Sequence, residues 1–556
     1  MLDGLIAALL ALAVLVAATG GVDIQAGPVS LRSHSAWRVL AIAASLFGIR
    51  VWRSRSSEPG ARRPEPGARS PDLVRLCLLT LIFLSIGYWF KFLLATVGGA
   101  DSYGYATAAQ QLASGGLVAP APIAEWLSSP DRLALASPLG WAPWAGGNGI
   151  VPKYPLGFPA LLALAGSIAG PNAIFFVPPA MGLLTLWLVY RFTRRWGDTT
   201  VSLLATALVA WNPVFLTYAK QPMSDVAATA WMMLALYCAR SPVRAGLAAG
   251  AAFLTRPALI VAGGVIPSLT AALKCRPPGA RGRFRDALIA GAIVAAAVAL
   301  QMSLQAFLFG SPFASGYGSA DFLFSLGRFP ENAAIYARQS WIAFGALWFA
   351  ALGAGVWVLR GRRAADILAV AAAVALPYLF YIPYDHWETL RFLLPGLVPL
   401  TILAAFGVTA AAAAVRVPAA PALIVVLFAV VFAVRSERFM RASSVWEIQA
   451  LEARYPLAAQ WMIVNTPPQS VALAMQHSGS LRWYSGRQTL RWDLMKPDEL
   501  ASTIGELEAH GATVYAALEG TEQQEFDAKF STELARLTVD PVGRVRNVLM
   551  LRLKRR

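Results

Sequence analysis

Asp101 stands in Gly98-Gly99-Ala100-Asp101-Ser102-Tyr103-Gly104-Tyr105, directly after an apolar segment. A carboxylate held where a membrane helix ends suits a general base that takes a proton from a hydroxyl. The same residue opens the helical run Tyr103–Ser114, closed by Gly115-Gly116, and an N-cap looks like this too. Farther along, Lys220-Gln221-Pro222-Met223-Ser224-Asp225 sets a cation and a carboxylate between two apolar segments. Asp225 there answers a helix dipole or does chemistry, and Lys220 snorkels or binds an anion. Arg256 interrupts a long apolar stretch at Thr255-Arg256-Pro257. An arginine inside a membrane segment is costly and points to function. The loop Tyr384-Asp385-His386-Trp387-Glu388-Thr389-Leu390-Arg391 gathers His386, Glu388 and Arg391, either as interfacial anchors with a local ion pair or as a binding site. Its His and carboxylates are too close in sequence to argue for a metal centre, and His34, His477 and His510 lack convincing partners.

The elements that must position these residues follow from composition. Of 556 residues, 57% are hydrophobic and 14% charged, and the 45 glycines bring the apolar share to roughly 65%, against about 45–50% in soluble domains. A soluble fold lacks the polar surface to go with so much apolar side chain. This excludes a soluble enzyme, a disordered protein and a disulfide scaffold, and leaves a polytopic α-helical membrane protein. The net charge of +17 sits in short basic runs between apolar stretches, as in cytoplasmic loops, and not in a nucleic-acid-binding patch. Cys77, Cys238 and Cys275 are too few for a disulfide framework and lie beside basic runs, on the reducing side.

Spans are expected at 4–20, 38–51, 75–98, 200–217, 222–239, 287–309, 341–359, 366–382, 391–413 and 419–434. The first two form an N-terminal transmembrane hairpin (1–52) with no positive n-region, read as retained. A Pro/Arg-rich cytoplasmic linker (53–74) follows, repeating Glu-Pro-Gly-Ala-Arg. Residues 75–434 form the membrane domain, with an external loop at 99–170. Arg191, Arg194 and Arg195 allow only one crossing in 156–190, so 156–170 is expected to be an interfacial or re-entrant helix. Arg244 and the run from Lys274 to Arg285 require two short helices in 244–273, broken at Thr255-Arg256-Pro257 by the proline. The count is about 13 transmembrane helices, N-terminus inside, C-terminus outside, with no internal inverted repeat. Arg435, Arg438 and Arg441 then fall outside, against the charge rule. From 435 the composition becomes that of a small α/β domain of about 120 residues. Strands are expected at Val471–Met475, Leu481–Tyr484, Thr489–Trp492, Thr513–Ala517 and Val545–Leu553, with helices near 497–510 and 522–535. On this topology Asp101, Lys153, Lys220 with Asp225, Arg256 and the 385–391 loop all emerge on one membrane face, as an anionic lipid-linked substrate would need.

The order of these motifs resembles the GT-C superfamily of integral membrane glycosyltransferases, of the protein mannosyltransferase, aminoarabinose transferase and rhizobial galacturonosyltransferase-like kind. The matching pieces are Asp101-Ser102-Tyr103-Gly104-Tyr105, Lys153-Tyr154-Pro155-Leu156-Gly157-Phe158-Pro159, Gln221-Pro222-Met223-Ser224-Asp225, Leu254-Thr255-Arg256-Pro257 and Arg391-Phe392-Leu393-Leu394-Pro395. The resemblance spans about 75–415. It implies a GT-C-like fold in a bacterial inner membrane, with the α/β domain read from composition (435–556) on the periplasmic side. It implies a polyprenyl-phosphate-linked sugar donor and a lipid, glycan or protein acceptor, with membrane lipids around the chain and no nucleic-acid partner. Asp101 matches the family's catalytic acid, and Asp225 a second acidic position. Lys220 and Arg256 fall at donor-phosphate positions. Tyr105, Lys153, Tyr154, His386, Glu388 and Arg391 complete the expected substrate-binding set. No cofactor is expected, and a metal requirement stays open. The N-terminal hairpin and the C-terminal domain depart from the superfamily pattern and leave the acceptor open. A transporter, or a non-catalytic subunit of an envelope assembly, are the competing classes.

Overall fold

The computed structural model describes residues 9, 22–26, 29–33, 46, 70–272, 280–417 and 419–556. Strands β1 (Val22–Ala26) and β2 (Val29–Ser33) pair antiparallel. Apart from Leu9 and Leu46, the expected N-terminal helices lie outside the described residues, as do most of the linker and Cys275.

Helix α1 (Ser70–Lys91) starts five residues earlier than expected and stops earlier too, leaving 92–100 as loop before α2 (Asp101–Ala113). Gly115, at φ 84°, ends α2. Short strands β3 (Trp141–Pro143) and β4 (Ile150–Pro152) pair antiparallel and deliver Lys153 and Tyr154. The short helix expected over 156–170 is α3 (Gly157–Ala169), followed by α4 (Val177–Thr193). The span expected at 200–217 is broken: α5 (Thr199–Ala210) gives way to α6 (Pro213–Tyr218), where Asn212 caps the amides of Val214 and Phe215. Pro213 cannot donate to the preceding turn, so a new helix starts there.

Next come α7 (Ser224–Tyr237), α8 (Pro242–Thr255) and α9 (Ile260–Ala272). The break between α8 and α9 falls at the expected place, with Arg256 extended at φ −144°, ψ 101°. Helices α10 (Ala280–Phe309), α11 (Phe329–Val358), α12 (Arg362–Leu379), α13 (Leu394–Ala413) and α14 (Ala420–Ala442) complete the bundle. Six helical segments among the described residues are long and apolar enough to cross a membrane: Asp72–Lys91, Pro171–Thr193, Phe284–Phe309, Leu326–Val358, Trp387–Ala413 and Ala420–Ala442. Shorter apolar helices at Gly157–Ala169, Thr199–Ala210 and Pro257–Ile266 stand beside them, and the expected count of about 13 also includes the N-terminal hairpin, which lies outside the described residues. The segment Trp387–Ala413 is 78% buried and Phe284–Phe309 only 17%, so α13 is the hub and α10 the rim. Around that hub pack α5, α7, α11, α12 and α14.

Arg435 lies within α14, not in the soluble domain. Its guanidinium donates to the carbonyls of Ile342 (2.7 Å) and Trp341 (3.4 Å), released where α11 breaks at Gly345 (φ 74°). A basic residue that looked misplaced in sequence thus satisfies a helix break.

After α14 the chain forms α15 (Arg454–Asn465), β5 (Ser470–Leu473), α16 (Ser478–Ser485), β6 (Gln488–Leu490), α17 (Leu500–Ala509), β7 (Thr513–Glu519), α18 (Glu522–Lys529), β8 (Leu537–Val545) and β9 (Val548–Arg555). The sheet order is β6-β5-β7-β9-β8, with β6, β5 and β7 parallel and β9 antiparallel to both neighbours. Residues 481–484, expected as a strand, are helical within α16. That helix buries Ser478 to Leu481 and stops at Gly486 (φ 68°). One sheet face packs Ala458, Ala459 and Met462 of α15 against Tyr515, Ala517 and Met550. Its other face meets Leu500, Ile504, Phe526 and Phe530.

Candidate functional site

A cavity of about 640 Å³ opens where α2, the α8/α9 break, α10 and the N-terminal end of α13 meet. Of the residues expected to do chemistry, it is lined by Asp101, Tyr105, Lys153, Tyr154, Arg256, His386, Glu388 and Arg391. Four separate chain segments bring them together.

Asp101 is the first residue of α2, and its side chain makes no cap hydrogen bond. Instead its Oδ2 accepts from Arg391 Nη2 at 3.1 Å, with the carboxylate 30% exposed. The N-cap reading therefore does not describe this side chain, although α2's dipole still favours negative charge there. Tyr154 lines the same cavity as Asp101. Burial first, and the neighbouring Asp101 charge second, push its hydroxyl well above the usual tyrosine range. Tyr154 thus keeps its hydroxyl proton at physiological pH.

Asp225 is buried in the first turn of α7 and lies outside the cavity lining. Its Oδ1 forms an ion pair with Arg256 Nη2 at 2.9 Å. Arg256 in turn reaches the Arg391 carbonyl (3.4 Å) and lies 5.2 Å from the Phe392 ring centroid. The extended backbone forced at Arg256-Pro257 aims this guanidinium across the bundle, and the buried carboxylate makes it tolerable there. Ser224, beside Asp225, hydrogen-bonds the Tyr105 hydroxyl at 3.0 Å. Lys153 stands 5.6 Å over the Tyr317 ring. Burial, reinforced by Arg491, lowers its ammonium pKa, while Asp101 opposes that shift.

Lys220 is not brought to this site. It is buried, with Nζ donating to the Val445 carbonyl at 3.1 Å and lying 5.6 Å over Trp446. Asp385 also lies outside the lining, bound by Arg338 and Gln339 of α11. His386 and Glu388 line the rim, with Nδ1 and Oε2 3.6 Å apart and both side chains about half exposed. No group of three or more His, Cys, Asp or Glu side chains among the described residues is placed to hold a metal ion.

Sequence reasoning missed the cavity's aromatic and amide wall: Tyr317, Phe324, Tyr378, Tyr381, Tyr384, Gln301 and Gln305. Two signals were present. Tyr378, Tyr381 and Tyr384 recur every three residues, and Gln301 and Gln305 stand one turn apart in the apolar C-terminal part of α10. Aromatic faces with amide hydrogen-bonding groups suit a sugar, which has apolar CH faces and hydroxyl edges. Phe392 stacks on Tyr378 at 5.0 Å and ties this wall to the arginines.

No family model matches the sequence, and no curated protein sequence matches it. Solved structures do. ArnT from Cupriavidus metallidurans in the apo state aligns at 14% identity over 85% of this chain and 97% of that one, with a TM-score of 0.53. The same protein bound to undecaprenyl phosphate aligns at 13% identity over the same shares, with a TM-score of 0.54. The Archaeoglobus fulgidus oligosaccharyltransferase, tethered to an acceptor peptide, aligns at 14% identity over 80% and 69%, with a TM-score of 0.47. The identities are low, and what the ArnT alignments establish is architecture over most of both chains. The protein is a helical membrane protein with the GT-C fold, similar to that of the aminoarabinose transferase ArnT.

Proposed function

We propose that this chain is a glycosyltransferase that moves a sugar from a polyprenyl phosphate to a hydroxyl-bearing acceptor, with inversion, at the periplasmic face of the inner membrane. The observation that carries this reading is the sharing of one cavity by a carboxylate, Asp101, and three cations, Lys153, Arg256 and Arg391. The likeness to ArnT, crystallised with undecaprenyl phosphate, supports the donor class.

In the proposed step the acceptor oxygen attacks the anomeric carbon and its proton passes to Asp101. The bond between the anomeric carbon and the phosphate oxygen breaks, and the phosphate leaves with the electron pair. Phosphate is a good leaving group, so no acid partner is needed. Inversion requires only one base, opposite the leaving group, unlike the paired carboxylates of glycosidases. Charge growing on the phosphate is met by fixed cations that need no reorganisation. Arg391 has a double part: as Asp101 takes the proton, Arg391 loses its counter-charge and is released to the departing phosphate. Asp225 acts through Arg256, holding it charged and aimed, and is a positioning residue. Lys220, seated on the Val445 carbonyl, is assigned no part in donor binding.

Mass spectrometry of envelope glycans tests this reading and identifies the sugar. A deletion strain is expected to lose one glycosyl addition, restored by the wild-type gene and not by Asp101→Asn. Unchanged glycans with altered lipid or polysaccharide distribution across the membrane would favour a transporter instead.

A further inference from the structure

Besides the Leu94 amide's bond to the Lys220 carbonyl at 2.9 Å, the loop before α2 is held by groups more than 350 residues away in sequence. Residues 94–100 form neither helix nor strand, so their backbone is held from outside. The Val97 amide donates to the Tyr484 hydroxyl of α16 at 2.7 Å. The Gly98 amide donates to Ser102 Oγ, whose hydroxyl donates to the Thr96 carbonyl at 3.2 Å. Against Gly98 lies the ring of Tyr455 from α15: a Cβ at Gly98 would stand 2.0 Å from Tyr455 Cδ2. Tyr455 is itself fixed, its hydroxyl accepting from Gln476 Nε2 (2.8 Å) and Arg454 Nη2 (3.1 Å).

In the first turn of α2 the relation is reversed. Tyr103 lies on Gly479 of α16, where a Cβ would come within 2.4 Å of its ring. A ring from each side thus rests on a glycine of the other. The Leu139 amide, donating to Ser478 Oγ at 3.1 Å, and Arg482, donating to the Ala136 carbonyl at 2.7 Å, extend the same boundary. Interiors packed to this density have two-way steric registry, so neither partner slides without displacing a ring.

We infer that Tyr455 and Tyr484 are positioning residues, by which the C-terminal domain seats the N-terminus of α2 and sets where Asp101 enters the cavity. This rests on the reading of Asp101 as the base. Arg391 orients the carboxylate, but its backbone is placed from the C-terminal domain. A misplacement of about 1 Å at a reacting group costs on the order of 100-fold in rate.

Full-length Tyr484→Phe keeps the ring and removes the hydroxyl. It is expected to lower kcat for polyprenyl phosphate release at least tenfold. The donor KM and the binding stoichiometry for undecaprenyl phosphate are expected to stay at wild-type values, a split that a loss of folded protein would not give. Amide exchange across 94–101 is expected to accelerate. Gly98→Ala, whose methyl meets the Tyr455 ring, is expected to perturb both readouts further. Tyr455→Ala, which takes the ring away from Gly98, is expected to accelerate the same exchange and lower kcat with donor KM retained. If Tyr484→Phe, Gly98→Ala and Tyr455→Ala leave both readouts at wild-type values, the inference is overturned. Should the wild-type chain release no polyprenyl phosphate, the transferase reading fails, and exchange in the same variants still decides whether the clamp exists.

Discussion

Arg256 and Asp225 show how a charge is afforded inside an apolar bundle. The pair is 2.9 Å apart, with side-chain exposures of 12% and 1%. Removing one partner of such a pair costs about 3–5 kcal/mol, because the other is left buried and unpaired, while replacing both with apolar groups is often neutral. Asp225→Ala should therefore lower the thermal stability of the detergent-solubilised chain sharply. Asp225→Leu with Arg256→Met should recover much of that stability and still lack transfer activity. A double variant that regains activity along with stability would show that Arg256 has no part in the chemistry. Much of this site was legible at the residue scale, because an arginine before a proline in an apolar stretch has few cheap explanations. Lys220 misled for a physical reason. A lysine between two apolar segments looks exposed, and its seat on Val445 depends on a contact 225 residues away.

Among the elements, α11 and α13 approach so closely that their glycines touch backbone. A Cβ at Gly355 would stand 1.8 Å from the Leu403 carbonyl oxygen, and one at Gly407 2.0 Å from that of Ala351. Small residues at such crossings let helices pack by backbone contact where lipid gives no hydrophobic drive. Gly407→Ala should force the two helices apart and destabilise the bundle by about 1–3 kcal/mol. Thermal or denaturant melting of the purified chain checks this, and an unchanged midpoint would contradict it. Element breaks were readable where proline made them, at Arg256-Pro257. The break at Asn212-Pro213 had the same signal, and an unbroken run of apolar residues on either side hid it. Residues 481–484 were misread because Leu-Arg-Trp-Tyr alternates like a strand. The burial of α16 against the α2 loop, which a local pattern does not contain, decides for helix.

For the whole molecule, the C-terminal domain carries a polar cluster of its own, in which Glu519 meets His477 and Arg454. Burial first, opposed by the His477 hydrogen bond and the Arg454 guanidinium, leaves Glu519 lowered to about 2. Nearby, burial raises Glu522 to about 7 despite two backbone amides donating to it. The signs differ. The stabilisation from Glu522 is full below the unfolded value of about 4.5 and lost as pH rises through 7. That from Glu519 is present above about 4.5 and lost as pH falls toward 2. Protease resistance of the C-terminal domain in the full chain should therefore peak near pH 4.5. Glu522→Gln should flatten the decline between pH 4.5 and 7 and leave the acid limb in place. At this scale the sequence identified a membrane protein with a small α/β domain through its 14% charge and the composition change near 435. It did not reveal the docking of that domain on the Asp101 loop, which depends on pairings hundreds of residues apart. The role of Asp101 as the base for transfer from a polyprenyl phosphate is tested most directly by single-turnover release of polyprenyl phosphate by wild type and Asp101→Asn, given the lipid-linked sugars of the source membrane. A 100- to 10,000-fold loss, of the order contributed by general-base catalysis, is predicted with donor binding retained; a rate equal to that of wild type would contradict the assignment.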